Sequence, residues 1–288
     1  MISDKNLHDR VAVITGASRG LGKAIAGAFA QEGARLLLVA RDKDALAKTS
    51  KELLAAGANA VHSLRADVSR IEDVEKVRRS CDALFPRVDI LVNNAALQGP
   101  IGPAHTVDWV SWVHVIEVNL LGAVAMCRAF VPALSGQRYG KIINLSGGGA
   151  AGPRPRFSAY ASSKAALVRF TETLAEELRG TGVDVNALAP GAMNTRLLDE
   201  VLDAGPEAVG LETYSQALEQ REKGGTPLEE GARLAVFLAS AASDGITGKL
   251  ISAVWDEWES FPMHREELTS TDVYTLRRIV PADRNLSW

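Results

Sequence analysis

The sequence predicts an α/β fold: a doubly wound parallel sheet with helices on both faces. Three observations predict it. Short, nearly continuous apolar runs alternate with longer amphipathic ones through the first two-thirds of the 288-residue chain. Runs of that kind suit strands buried on both faces, as in a parallel sheet. A glycine-rich turn follows the first run and opens a helix, and no linker or 20–50-residue repeat divides the chain, so one domain spanning 1–288 is expected.

The elements follow in order. "VAVITG" from Val11 is the first strand, with a helix pattern from about Leu21 to Glu32 after it. "RLLLVA" is the second strand, followed by a charged helix from about Lys43 to Ala56. "AVHSLRAD" and a helix from about Ile71 to Phe85 come next, then "VDILVNNA" as the fourth strand. A Gly/Pro-rich loop leads into a long apolar helix from about Val107 to Leu134. "GKIINLS" is the fifth strand, a helix from about Ser158 to Arg179 follows, and "VDVNALAP" is the sixth strand. From about Asn194 to Gly224 the pattern is helical but charged and glycine-interrupted. Such a segment would lie beyond the carboxyl ends of the strands, where it reads either as a lid or as a surface helix pair.

Composition narrows the function classes. Apolar residues make up 47% of the chain and charged residues 23%, and the net charge of −3 gives no broad attraction to nucleic acid or an acidic membrane. No apolar run is read as a membrane span, and the start "MISDKNLHDR" has no apolar signal core, so a cytoplasmic protein is expected. Cys81 and Cys127 read as buried small hydrophobes, and His8, His62, His105, His114 and His264 lack metal-ligand spacing, so no metal site is expected.

"TGASRGLG", Thr15 to Gly22, carries the first chemistry. Gly16 permits a tight turn, and Gly20 and Gly22 let the following helix approach a ligand and the sheet closely. The helix N-terminus then offers free N–H groups and partial positive charge to a pyrophosphate. Tyr160 and Lys164 carry the second: spaced i, i+4, they share one face of a helix. A neighbouring ammonium would lower the phenol's pKa from near 10 toward neutrality, fitting Tyr160 to exchange a proton with a carbonyl or alcohol oxygen.

The G-x-x-x-G-x-G spacing after Thr15 resembles that of the short-chain dehydrogenase/reductase family, single-domain branch. The likeness runs from about Arg10 to Ala253 and includes Asp67-Val68, "NNA" at Asn93 to Ala95, "VNL" around Asn119, Tyr160-x-x-x-Lys164, Pro190-Gly191 and "ITG" at Ile246 to Gly248. It implies a Rossmann-type fold that binds a nicotinamide dinucleotide through Gly16, Ser18, Arg19, Gly20, Leu21 and Gly22. It implies adenine contacts from Asp67 and Val68, a nucleotide groove lined by Asn93 and Ala95, and cofactor contacts from Pro190, Gly191 and Thr195, the last at the nicotinamide end. It further implies that Tyr160 is the general acid/base, that Lys164 also binds the nicotinamide ribose, and that Asn119 holds a water in a proton relay behind Lys164.

An acid at the end of the second strand would bond the ribose 2′-hydroxyl and repel a 2′-phosphate. That position is Ala40, followed by Arg41, with Arg19 in the glycine loop. Two arginines there suit a phosphate dianion, so NADP is expected over NAD. Asp42 would favour NAD if the register shifted by one residue.

The family's substrate-orienting serine usually stands thirteen residues before the tyrosine. Here that position is Gly147, and Ser146 stands fourteen before Tyr160. A one-residue slip on a regular strand turns a side chain to the other face. Either the Gly147-Gly148-Gly149 run permits a turn that re-aims Ser146, or glycine replaces the serine and another group donates. Ala96 replaces the usual glycine of N-N-A-G, and Trp255, Asp256 and Trp258 follow the last expected strand, with a tail from about 256 to 288.

The expected function is an NADP(H)-dependent interconversion of a carbonyl and a secondary alcohol on a small polar substrate, anionic or sugar-like. Arg154, Arg156, Arg277 and Arg278 are read either as lining a substrate mouth closed by the tail or as solvated surface charges. The alternatives are a cofactor-sensing or scaffold protein, favoured by the missing serine, and epimerase or dehydratase chemistry. The long helices around Val107–Leu134 and Ser158–Arg179 are apolar on more than one face, and the resemblance implies a homodimer or homotetramer built on them.

Overall fold

A computed structural model describes residues 6–287; the first five residues of the polar start and Trp288 of the tail lie outside the described residues. The strands are β1 (Val11–Thr15), β2 (Arg35–Ala40), β3 (Ala60–Arg65), β4 (Ile90–Asn93), β5 (Gly140–Leu145), β6 (Val183–Ala189) and β7 (Leu250–Ser252). They form one parallel sheet in the order β3-β2-β1-β4-β5-β6-β7. The chain winds outward from β1 to β3, then crosses back to β4 on the other side of β1. That reversal leaves a crevice at the carboxyl ends of β1 and β4.

The helices are α1 (Gly20–Gln31), α2 (Lys43–Ala55), α3 (Ile71–Leu84), α4 (Trp109–Ile116), α5 (Gly122–Gly136), α6 (Ser158–Glu177), α7 (Arg196–Val209), α8 (Leu211–Lys223), α9 (Leu228–Ala239) and α10 (Arg265–Ser270). Strand alternation builds two cores. Ala12 and Ile14 of β1 pack with Ile25 and Phe29 of α1 and Leu234 and Leu238 of α9. Val11 and Val13 turn the other way, toward Val77 of α3, Phe130 of α5 and Leu174 of α6. Both cysteines are free and buried, and burial pushes their thiols up, to about 11 for Cys81 and about 12 for Cys127.

The long apolar helix expected around Val107–Leu134 is interrupted. A π-helical segment, Glu117–Leu121, joins α4 to α5 and contains Asn119. One widened turn of this kind shifts the facing of everything after it, and such segments concentrate at functional sites. The whole stretch Trp109–Gly136 has a mean hydropathy of 1.6, long and apolar enough to cross a membrane by length and composition, which the sequence reading did not anticipate. Met126, Cys127, Phe130 and Leu134 account for much of that apolarity, because they pack under the sheet.

The tail does not lie over the crevice. Trp258, Phe261 and Leu268 join the core beneath α9, and the Leu250 amide at the β7 edge donates to the Tyr274 carbonyl at 2.8 Å. Leu276 packs on Ala150, Val168 and Ala187, and its amide donates to Glu172 at 2.6 Å. Arg277 pairs with Asp272 and Asp283 inside the tail itself. Closure of the chain's own site by this tail, one of the sequence expectations, is thereby corrected.

Candidate active site

The crevice is a cleft of about 600 Å³. One end is bordered by Arg19, Ala40, Arg41, Asp67 and Val68; the other is bordered by Ser146, Tyr160, Lys164 and Pro190. Residues 194–200 and Arg221, from the segment read either as a lid or as a surface helix pair, line it. α7 and α8 hold that segment together through a small core of their own, in which Leu198, Val201, Val209 and Ala217 pack with Phe157. Gly205 breaks α7 with φ of 77°, and Gly210 separates it from α8 with φ of 93°.

The glycine loop has the geometry that a bound dinucleotide requires. Gly16 has φ of 65°, and a Cβ on it would lie 2.7 Å from Asn94 Nδ2. A Cβ on Gly22 would run into the Gly16 carbonyl, so α1 could not start so close to β1 with any other residue. Asn94 completes the loop: its Nδ2 donates to the carbonyls of Thr15 (2.9 Å) and Gly16 (3.1 Å). A Cβ on Gly20, in contrast, would meet only Thr195, at 3.8 Å, so the α1 N-terminus is open toward the cleft. Open N–H groups facing this cleft fit an NAD(P) pyrophosphate.

The adenosine end holds both expected arginines. Arg19 lies 3.7 Å from Asp42, and Asp42 accepts the Ala45 amide at 3.0 Å as the N-cap of α2. That carboxylate therefore caps a helix and faces an arginine. Asp67 accepts from the Ser69 amide and hydroxyl at 3.0 and 2.8 Å. Burial raises its pKa, but these bonds and the nearby Arg41 outweigh that and hold it below the usual carboxylate range.

Asn93 does not line the cleft. It ends β4 facing the core, where its Nδ2 donates to Asn144 Oδ1 at 2.9 Å and ties β4 to β5. Asn94, Ala95 and Ala96 form the wall instead. Gly191 is also outside the wall, and a Cβ on it would press on Thr226 and Val254. Asn119 lies behind the site. Its Oδ1 accepts the Leu97 amide at 2.8 Å, and its Nδ2 donates to the Leu97 carbonyl (2.9 Å) and the Ser163 hydroxyl (3.0 Å). It thus bolts the loop after β4 to α6.

At the reacting end, Lys164 is 2% exposed and donates to the Leu145 carbonyl at 2.6 Å. Burial lowers its pKa to about 8. Tyr160 is 6% exposed, and burial raises its pKa, with Arg154 as the opposing cation. This corrects the expectation that Lys164 drives the phenol toward neutrality. Both groups are desolvated, so each disfavours its own charged form. Lys164 thereby has a stability signature. Between its folded value near 8 and the unfolded value near 10.5, the unfolded chain binds more protons, so stability rises with pH. Relative to Lys164→Met, the cofactor-free wild type is expected to gain up to about 3 kcal/mol from pH 8 to pH 10.5. Urea unfolding at both pH values measures this, and a flat difference would remove the depressed lysine.

β5 ends at Leu145, and Ser146 holds its register through its amide, which donates to the Leu188 carbonyl at 2.8 Å. Its hydroxyl borders the cleft, buried and without a hydrogen-bond partner. A turn follows at once, with the Ala150 amide donating to the Gly147 carbonyl at 3.2 Å and Gly149 at φ of 94°. A Cβ on Gly147 would collide with the Tyr160 hydroxyl. Arg156, read either as lining a substrate mouth or as a solvated surface charge, donates to the carbonyls of Glu207 (2.8 Å) and Ala208 (3.0 Å) at the end of α7.

A family model described as short chain dehydrogenase matches residues 10–205, more than half of the chain. The chain belongs to the short-chain dehydrogenase family. It is an oxidoreductase of the CH–OH/C=O type that uses a nicotinamide dinucleotide. A galactitol 2-dehydrogenase (L-tagatose-forming) from Cereibacter sphaeroides is 38% identical over 250 residues, covering 85% of this chain and 94% of that protein. A 2-dehydro-3-deoxy-L-rhamnonate dehydrogenase (NAD(+)) from Sphingomonas sp. strain SKA58 is 35% identical over 192 residues, 67% of this chain and 75% of its own. The crystal structure of an NAD+-bound xylitol dehydrogenase superposes with a TM-score of 0.79 at 28% identity, covering 86% of this chain and 98% of that one.

Three residues of this short-chain dehydrogenase site take roles that the motifs do not assign: Asn94 lies inside the "NNA" motif without a role of its own there, and Leu97 and Arg221 belong to no motif. All three reach the cleft or its loop.

Proposed function

We propose that the protein is an NADP(H)-dependent short-chain dehydrogenase/reductase that interconverts a carbonyl and a secondary alcohol on a small polar, sugar-like or anionic substrate. The observation that carries this reading is the buried, unpartnered Ser146 hydroxyl beside Tyr160 and Lys164, in the same cleft as Arg19 and Arg41. A buried hydroxyl without a partner costs free energy unless a ligand satisfies it.

The nicotinamide, when bound, supplies or accepts the hydride. In reduction Tyr160 gives its phenolic proton to the substrate oxygen, so hydride on carbon and proton on oxygen make the alcohol; in oxidation Tyr160 takes that proton back. Ser146 donates a second hydrogen bond to the same oxygen and orients it. Lys164 supplies polarity behind the phenol and holds the nicotinamide ribose. Asn119 positions these groups by fixing Leu97 and Ser163 rather than by touching substrate. The segment 194–224 acts as a lid that keeps water from the reacting atoms. Galactitol, xylitol and rhamnonate-derived names among the relatives support a polyhydroxylated substrate.

NADP preference rests on Ala40, Arg41 and Arg19, with Asp42 occupied as a helix cap. Arg41→Ala is expected to weaken NADPH binding by about tenfold or more, the loss of a charge-assisted phosphate contact, with NADH binding unchanged. Fluorescence titration of both nucleotides checks this, and a wild type that binds NADH more tightly than NADPH would reverse the assignment. NADPH oxidation against keto sugars, ketones and keto acids then tests the activity itself. A homo-oligomer, dimer or tetramer, is also proposed. Trp109 and Val110 on α4 and Leu121 in the π segment are large, exposed apolar side chains.

A further inference from the structure

Arg154 is an arginine without an acid. It is half-buried, with its guanidinium 3.9 Å from the centre of the Phe157 ring and 5.6 Å from that of Tyr160. Among the described residues no carboxylate pairs with it and no carbonyl accepts from it, whereas Arg156, two residues on, donates through Nη1 to two carbonyls at the end of α7. A half-buried cation with no partner is costly to hold. Its neighbours make room for it. Gly148 has no side chain between the guanidinium and the backbone, where a Cβ would stand 3.9 Å from Nη1, and a Cβ on Gly149 would press on the Arg154 stem at 3.2 Å. Gly147, next along the same strip, borders the Tyr160 hydroxyl. The phenol and the guanidinium thus flank consecutive residues of one glycine run, and the guanidinium lies over the Phe157 ring.

We infer that Arg154 is a specificity-determining residue that binds a substrate carboxylate beside the Tyr160 end of the site. The substrate is then a hydroxy acid or sugar acid rather than a neutral polyol. This deepens the reading above, and rests on Tyr160 being the reacting end. A planar guanidinium presents two parallel donors to a carboxylate. Once paired, it loses the unsatisfied state that its position imposes. A neutral polyol leaves it unsatisfied, and sites built around a buried polar group reject analogues that cannot pair with it. The cation also opposes the burial that raises the Tyr160 pKa, so an anion on Arg154 and the proton on Tyr160 are coupled.

The experiment uses the full chain loaded with whichever of NADP+ and NAD+ binds more tightly, titrated calorimetrically with D-gluconate and with D-glucitol. Gluconate is expected to bind at least tenfold more tightly than glucitol. Arg154→Met, which keeps the stacking volume on Phe157, should weaken gluconate at least tenfold and leave glucitol and nucleotide affinities unchanged; Arg154→Lys should lose less than Met. Gluconate binding no better than glucitol, or equal in wild type and Arg154→Met, overturns the inference, as does glucitol 6-phosphate binding more tightly than gluconate. The nucleotide titration and the Tyr160 variant report on the cofactor and catalytic reading separately, so a failure of either is told apart from a failure of Arg154.

Discussion

Tyr160→Phe is expected to slow turnover by about 10²–10⁴-fold, the range lost when a positioned general acid is removed. Nucleotide affinity should stay unchanged. The phenylalanine ring keeps the packing of a residue that is 6% exposed and removes only the hydroxyl. The pH dependence gives a second reading. Burial raises the Tyr160 pKa, so the phenol is protonated across neutrality. Reduction needs that proton and should hold its rate as pH rises, declining only as the phenol ionises. Oxidation needs the phenolate and should accelerate toward alkaline pH. Steady-state rates in both directions, in wild type and variant, check this. Full activity in Tyr160→Phe would remove Tyr160 from the chemistry.

Much of this site was legible in the sequence, and the parts that were not share a physical reason. The interior strands β1, β2, β4, β5 and β6 follow from their apolar runs, because a strand buried on both faces tolerates little else, whereas the edge strand β3 is largely exposed. Gly16, Gly20 and Gly22 were legible because only glycine allows their φ values or their close contacts. Asn93 and Asn94 could not be told apart, since which one faces the core depends on the residue at which β4 ends. The π segment at Asn119 was hidden because the apolar pattern continues through it unbroken. Arg154 and Arg156 look alike in "GPRPRF", and only the carbonyls at the end of α7 separate their roles. The Tyr160 shift goes the other way from the expectation because burial, which pair spacing does not report, raises it and outweighs the opposing charge of Arg154.

Gly147→Ser carries the sharpest consequence of that geometry. The substitution puts a serine thirteen residues before the tyrosine, the spacing usual in the family, and by sequence logic it should help. The structure argues for the opposite outcome. The new Cβ would fall inside van der Waals contact of the Tyr160 hydroxyl, and the surrounding protein leaves that side chain little freedom to retreat. Something must shift, and a misplacement of about 1 Å at the reacting group costs on the order of 10²-fold in rate. Gly147→Ser is therefore expected to lower kcat by about 10²-fold, and Gly147→Ala should match it, because the Cβ and not the hydroxyl does the damage. Nucleotide affinity should hold, since Gly147 does not border the cleft. Ser146→Ala should cost less, about tenfold or somewhat more, as the loss of one orienting donor among several groups. If Gly147→Ser were as active as wild type while Ser146→Ala was silent, the donor would belong to position 147 and the loop would have to rearrange when substrate binds. Equal losses in the serine and alanine variants at 147 would instead tie the glycine to the room that Tyr160 needs.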